Sequence, residues 1–279
     1  MKLNQFQTAQ EFLNHTQYFL EMDEATNSLM LGLAIAKKSV DDNSLYLNIT
    51  ENETILFAAI QTPSRNLIVC GREEGMISYI TTLINYFKDE NIDIPGINGP
   101  KDLVLQLAAA FNEAFNWKYK IRYNQVVYQL TEIKDNPNLE GNFKIATEDD
   151  LPLIGKWMDA FFQESLQILD PESAKTTAKK KIENNAVYLW KNESTVAMTC
   201  IARPTANGIS INYVYTPNHQ RKKGYGTKLV AQVSTLMLEK GYKFCTLFAD
   251  QNNPSTNRIY QRIGYKPVGE FRTVEFDKS

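Results

Sequence analysis

The sequence predicts an α/β (α+β) fold, a mixed sheet flanked by helices, laid out as two domains in tandem. Three observations predict it. The chain has 279 residues, about twice an ordinary domain. A polar, Pro- and Gly-containing stretch, Lys134-Asp135-Asn136-Pro137-Asn138-Leu139-Glu140-Gly141-Asn142, separates two apolar segments. Each side then shows helical and strand periodicities in turn. We therefore place one domain at 1–134, a linker at 135–142 and a second domain at 143–279.

The second half reads in order. Phe143 to Ala146 is a short strand. Thr147 followed by Glu148, Asp149 and Asp150 is a helix start, since a hydroxyl caps free N–H groups and acids suit the positive end of the dipole. Leu151, Ile154, Trp157, Met158 and Phe161 supply that helix with an apolar face. Pro171 to Glu183 is a second helix. Strands at Ala186–Trp190, Thr195–Ala202 and Ile209–Thr216 form a meander with turns at Lys191-Asn192 and Asn207-Gly208. Tyr225 to Glu239 is a long helix, its apolar residues Tyr225, Leu229, Val233, Leu236 and Met237 recurring at helical spacing. Gly241 stops it. Phe244–Ala249 is a strand, Pro254–Ile263 a short helix, and Tyr265–Phe276 holds one or two last strands.

The first half gives a blurrier version of the same order. Helices are expected at Thr8–Tyr18, Glu24–Lys38, Glu73–Phe87 and Lys101–Phe115. Strands are expected at Ser44–Ile49, Thr54–Gln61, Asn66–Cys70 and, closing the half, Asn124–Leu130. Asn91 to Gly96, with its Pro-Gly pair, reads as a loop. No strict repeat joins the halves, yet the order of elements suggests one fold used twice.

Composition limits the function classes. Hydrophobic content of 43% and charged content of 22% are globular values, so both halves should hold a core. A net charge of -2 argues against nucleic acid as a partner. No apolar run approaches the 18 or so residues of a membrane span, and the start lacks the basic-then-apolar order of a signal peptide. Cys70, Cys200 and Cys245 are scattered, without a CxxC pair, and read as buried thiols of a reducing cytoplasm. With only His15 and His219, no His-based metal centre is expected.

Val214 to Val230 carries the chemistry. A strand rises to Thr216, Pro217 ends it, and Arg221-Lys222-Lys223-Gly224-Tyr225-Gly226 leads into the long helix. Three cations at a helix N-terminus oppose the dipole unless an anion is expected there, a mismatch of a few tenths to ~1 kcal/mol per charge. Gly224 and Gly226 let the backbone approach a bulky anion, and the first helical N–H groups point at it. A pyrophosphate fits. The pattern is neither a dinucleotide GxGxxG nor a P-loop, which needs GKS or GKT after the glycines.

These residues resemble the GNAT superfamily of N-acetyltransferases, whose motif is Gln/Arg-x-x-Gly-x-Gly/Ala between a strand and a helix. Asn253-Pro254-Ser255-Thr256-Asn257-Arg258-Ile259-Tyr260-Gln261-Arg262-Ile263-Gly264-Tyr265 is similar to a second segment of that family, Asn-…-Tyr-x-x-x-Gly-Phe/Tyr. The resemblance covers about residues 143 to 276. It implies a GNAT-like fold, acetyl-CoA as acyl donor, and transfer to a primary amine. It also implies roles: Tyr213, Val214 and Tyr215 hold the pantetheine arm by their backbone, and Lys222, Lys223, Gly224, Tyr225, Gly226 and Thr227, with Arg221 at the rim, hold the pyrophosphate. Asn253 contacts the arm, and Tyr260 protonates the departing thiolate; from the residues alone, Tyr260 also reads as an aromatic helix residue packed on the sheet beside Ile259 and Ile263. An amide near Tyr215 polarises the thioester carbonyl.

The sequence does not single out the general base: Asp159 and Glu164 are candidates, acting directly or through water, but each also reads as a solvated surface charge, and His219 reads as loop scaffold. The first half has Gly71-Arg72-Glu73-Glu74-Gly75 at the comparable loop. It lacks RxxGxG, and Glu73 and Glu74 would repel a pyrophosphate, so this half resembles the degenerate N-terminal halves of two-domain family members. The expected acceptor is an amine on a small molecule, a peptide or a protein. The alternative is a non-catalytic acyl-CoA-binding sensor or regulatory module. No membrane partner is expected, and a homodimer is left open.

Overall fold

The computed structural model describes residues 1–37 and 43–278. Its elements run in chain order as follows: β1 (Lys2–Phe6), α1 (Ala9–Glu21), α2 (Ser28–Lys37), β2 (Leu45–Glu51), β3 (Thr54–Gln61), β4 (Leu67–Gly71), α3 (Met76–Asp89), β5 (Gly96–Pro100), α4 (Lys101–Phe115) and β6 (Lys118–Leu130). Then come β7 (Asn142–Ile145), α5 (Leu151–Phe161), α6 (Pro171–Glu183), β8 (Val187–Asn192), β9 (Ser194–Ala202) and β10 (Gly208–Tyr215). The chain finishes with α7 (Tyr225–Glu239), β11 (Phe244–Asp250), α8 (Pro254–Ile263) and β12 (Lys266–Asp277). The second series repeats the first element for element: strand, two helices, three strands, helix, strand, helix, strand. One fold is used twice.

The chain forms two compact units. The first is Met1–Val127 with Phe248–Pro254 and Pro267–Ser279, and the second is Tyr128–Leu247 with Ser255–Lys266. The linker between β6 and β7 therefore lies inside the second unit, and the strand that ends the second series groups with the first. Its pairing shows why: β12 runs antiparallel to β5, Phe271 opposite Pro100 and Glu275 opposite Gly96.

In the first unit β1, β2, β3 and β4 pair antiparallel in sequence order, and β4 pairs parallel with β5. On one face α3 and α4 bury Tyr79, Leu83, Phe87, Leu107 and Phe111 against Leu47, Phe57 and Val69. On the other, α1 and α2 bury Phe12, Leu20 and Leu31 against Tyr46 and Ile60. Two strands here escape sequence reading. Residues 2–6 alternate only weakly, and β5 has the turn-like composition GINGP. Its glycines are there for close approach: a Cβ on Gly96 would lie 2.1 Å from the Val274 carbonyl oxygen, and one on Gly99 2.6 Å from that of Val69. Of the helix expected at Glu24–Lys38, Ser28–Lys37 is seen, and Lys38 lies outside the described residues.

In the second unit β7, β8, β9 and β10 pair antiparallel, and β10 pairs parallel with β11. Helices α5 and α6 cover one face with Ile154, Trp157, Met158, Ala174, Ala178 and Ile182 over Val187, Leu189, Met198 and Cys200. The alanines keep the α6 side of this layer thin, and each large buried side chain contributes about 1.5–3 kcal/mol. The α5 start forms a capping box: Asp150 Oδ2 accepts from Thr147 N at 2.9 Å, and Lys144 Nζ donates to Asp150 Oδ1 at 2.8 Å. Among the described residues no helix is long and apolar enough to cross a membrane.

Candidate functional site

The site begins with the path of β10. Its parallel pairing with β11 covers Gly208–Ser210 against Phe244–Thr246 among the described residues, so Ile211–Tyr215 run on beyond that pairing. Against β9, Asn212 faces Cys200 and the next pair is Tyr215 with Met198. Two residues, Tyr213 and Val214, thus oppose one, which is a β-bulge. Tyr213 takes φ +51°, a left-handed conformation costly for a bulky side chain. Thr199 Oγ1 pins the strand here by donating to the Asn212 carbonyl at 3.2 Å.

After β10, Pro217 and a short turn at Asn218–Gln220 lead to Lys222 at φ +64° and Gly224 at φ +84°. Gly224 stands at the N-cap of α7 without a side-chain cap, and the amide of Lys228 donates to its carbonyl at 2.9 Å. The amides of Tyr225, Gly226 and Thr227 precede that first helical bond, so they are the donors a helix start offers an anion. Gly226 packs where a Cβ would sit 3.2 Å from Thr216 Oγ1. The loop holds itself in place. Lys223 Nζ donates to Gln220 Oε1 at 2.9 Å, Asn192 Nδ2 donates to Tyr225 Oη at 2.9 Å, and Lys228 Nζ lies 5.5 Å over the Trp190 ring.

Arg221 is engaged by the protein itself. Its Nε donates to the Thr216 carbonyl at 2.8 Å, and its Nη2 donates to Glu164 Oε2 at 2.5 Å. The guanidinium also lies 5.7 Å from the Tyr215 ring, whose hydroxyl reaches Glu164 Oε1 at 3.5 Å. Burial, then the nearby Glu164 carboxylate, raises the Tyr215 phenol above its ordinary pKa. Glu164 sits on a π-turn, Phe162–Leu166, that continues α5. Asp159, the other candidate base, accepts from Gln163 Nε2 at 2.9 Å, while its Oδ1 is buried without a hydrogen-bond partner.

Tyr260 is buried in α8, its ring 5.9 Å from Tyr265 and 6.2 Å from Tyr128. Burial pushes its phenol well up, so it stays protonated at neutral pH. Asn253 lies in the Phe248–Pro254 segment of the first unit, its amide bonded to the Asp250 carbonyl at 3.1 Å. His219 is exposed in the short turn.

Sequence reading missed a polar group on the α5–α6 side of the bulge. Lys181, in the last turn of α6, donates to the Ile201 carbonyl at 2.8 Å and lies 5.9 Å over the Tyr213 ring. Arg203, at φ +50°, donates Nε to Ser210 Oγ at 3.3 Å. Asn212 Oδ1 is buried without a partner. A lysine near a helix C-terminus reads in sequence as an ordinary dipole partner, so only the fold could single it out.

The first unit repeats the loop in a different chemistry. Gly75 stands at the N-cap of α3 with φ +71°, and the amide of Tyr79 donates to its carbonyl at 3.0 Å. The Met76 amide donates instead to Glu73 O at 3.3 Å, and Tyr79 Oη closes on the Arg72 carbonyl at 2.8 Å. The adjoining cleft, about 640 Å³, is lined by Glu73 and Asp102 among others. Those carboxylates disfavour a pyrophosphate.

Comparison with known proteins bears on the fold. Residues 189–273 match the FR47-like protein family. No curated protein matches. Among solved structures, a GNAT-family acetyltransferase from Colwellia psychrerythraea is similar at 13% identity and TM-score 0.59, over 99% of each chain. A Drosophila protein is similar at 11% identity and TM-score 0.69, over 99% of this chain and 98% of that one. A tandem GNAT protein from the clavulanic acid biosynthesis pathway is similar at 10% identity and TM-score 0.54, with the same coverage. At these identities the likeness establishes the fold: this chain has the GNAT fold, in the tandem arrangement.

Proposed function

We propose that this GNAT-fold chain transfers the acetyl group of acetyl-CoA to a primary amine, with the second unit carrying the site. The observation that carries the reading is the β10 bulge followed by a left-handed Gly224 that opens α7. Together they provide amides at two places, one suited to a thioester carbonyl and one to a pyrophosphate. The loop fits such an anion: it has no side chain at 224 or 226, and the amides of 225–227 lie ahead of the first helical hydrogen bond. Lys222 and Lys223 add cationic charge beside them.

In this reading the amine attacks the thioester carbonyl, the C–N bond forms, and the C–S bond breaks. Amides at the bulge, near Tyr215, stabilise the oxyanion. The leaving thiolate takes a proton from Tyr260, and the proton that nitrogen sheds as the amide forms returns to the phenolate through solvent. A buried phenol holds its proton across the neutral range, so donation accompanies C–S cleavage rather than preceding it. The ammonium proton of the acceptor is lost to a carboxylate or to water. Glu164 is held by Arg221, which favours Asp159, with its unpaired Oδ1, or water for that role.

The test is calorimetric titration of acetyl-CoA into the wild type and Gly224→Glu, with circular dichroism checking that both are folded. Micromolar binding lost in the variant, together with amine-dependent thiol release, supports the reading. Binding without thiol release for any amine points to an acyl-CoA-binding module. A folded wild type that does not bind acetyl-CoA sinks the proposal.

A further inference from the structure

We propose that Lys181, Arg203 and Asn212 form a carboxylate-binding subsite beside the β10 bulge, so that the acceptor amine also carries a carboxylate. The inference rests on the acetyl-transfer reading and names the class of its acceptor. Three elements converge to make the subsite. The last turn of α6 brings Lys181, the end of β9 brings Arg203, and the bulged part of β10 brings Asn212 and Tyr213. None of these four residues is fully covered, so each keeps access to solvent.

Two cations are drawn into one partly buried place. Among the described residues Lys181 takes part in no ion pair; its ammonium is met by one backbone carbonyl and the Tyr213 ring. Burial lowers the pKa of Lys181, and the nearby Arg203 charge lowers it further. Burial likewise lowers Arg203, to about 10. Holding the Lys181 ammonium partly out of water without a carboxylate beside it is costly unless an anion joins it. Asn212 faces Cys200 across the ladder, and Cys200 in turn feels the Lys181 ammonium, which puts the amide in the same recess. The buried end of that amide has no partner, and such an orphan calls for an explanation. Turned by a flip, it donates N–H to a carboxylate.

Both Arg203 and Tyr213 hold left-handed backbone conformations, and strain of this kind gathers at binding sites. The position also suits the reaction. In an amino acid the amine and carboxylate lie on the same or neighbouring carbons. A carboxylate clamped beside Tyr213 therefore holds the amine at the bulge, where the thioester carbonyl is expected. Phe161 and Phe162, with Phe161 5.4 Å and Phe162 5.9 Å from the Tyr213 ring, wall the place with apolar surface.

The experiment uses acetylated probes of the full chain, read by thermal shift at fixed ionic strength. N-acetylglycine and N-acetyl-L-phenylalanine are compared with their decarboxylated counterparts, N-methylacetamide and N-acetylphenethylamine. The expected result is a saturable rise in Tm with a carboxylate probe and none with its neutral partner. Lys181→Met should weaken apparent binding at least ten-fold, and Lys181→Arg should retain it. Asn212→Asp, which places a competing carboxylate in the recess, serves if Lys181→Met does not fold, and should abolish the response. Equal responses to charged and neutral probes, no response in the wild type, or a response that survives both Lys181→Met and Asn212→Asp overturns the proposal. Acetyl-CoA titration of the same preparation is a separate readout, so failure of the cofactor reading is distinguishable from failure of the subsite.

Discussion

Gly75 and Gly224 hold the same local geometry one repeat apart: each is left-handed, at φ +71° and +84°, and each accepts from the amide four residues on. What differs is the chemistry around them. Gly224 follows Lys222 and Lys223, whereas Gly75 follows Glu73 and Glu74. The backbone device has been kept in both units while the charge that would recruit a pyrophosphate is present in only one. Replacing either glycine by alanine should cost about 1–2 kcal/mol of stability, from left-handed strain. Only Gly224→Ala should also weaken acetyl-CoA binding. Thermal unfolding and calorimetry on the two variants check both halves of this expectation; equal loss of binding would contradict it.

Arg221 and Glu164 are about 40% exposed, and such pairs add little to stability. Glu164→Gln should therefore change stability by less than about 0.5 kcal/mol. It should nevertheless tighten acetyl-CoA binding a few-fold, because the carboxylate competes with phosphate for the guanidinium. Calorimetry gives the answer directly. Weaker binding in Glu164→Gln would mean that the carboxylate orients Arg221 rather than occupying it.

Tyr260 links acid–base chemistry to stability. Its folded pKa lies above the ordinary value of 10.0, so the folded state keeps a proton that the unfolded state loses. The stability this adds is complete below pH 10 and is lost as the pH rises toward the folded value. Tyr260→Phe should flatten part of the alkaline fall in stability, and if the phenol is the proton donor it should lower kcat about 100-fold with KM little changed. A kcat within two-fold of wild type would reduce Tyr260 to a packing residue against Tyr128 and Tyr265.

Asp150 behaves in the opposite sense. Burial alone would raise its pKa, but hydrogen bonds from Lys144 and the Thr147 amide outweigh this and hold it below the usual value. Its contribution is present at neutral pH and lost on acidification through the folded pKa, below about pH 4. Asp150→Asn should cost about 1 kcal/mol at pH 7, in the range of a lost cap. That difference should shrink in denaturant titrations at pH 3.

The last strand makes the second half dependent on more than its own sequence. A fragment of residues 143–279, cut where the linker invites it, leaves β12 without β5 and exposes Phe271 and Val274, both buried in the whole chain. It should be aggregation-prone, as unpaired apolar edges are. Light scattering of the fragment against the full chain checks this; a monodisperse, cooperatively folding fragment would contradict it.

Local signals in the sequence determined much of this protein. The helices Lys101–Phe115, Pro171–Glu183, Tyr225–Glu239 and Pro254–Ile263 lie where the sequence reading places them, because helical periodicity is a property of contiguous residues. The basic, glycine-bearing loop before α7 was legible for the same reason: charge and missing side chains are properties of contiguous residues. Tertiary structure decided what depends on partners distant in the chain. β5 is a strand despite its GINGP composition because Val274 and Val69 press on its glycines. β12 groups with the first unit because its ladder partner is there. Arg221 meets Glu164, and Lys181 reaches the Tyr213 ring, only once the helices α5 and α6 pack on the bulged β10. No local pattern encodes such meetings, since a side chain's neighbours across a core are set by packing rather than by position in the chain.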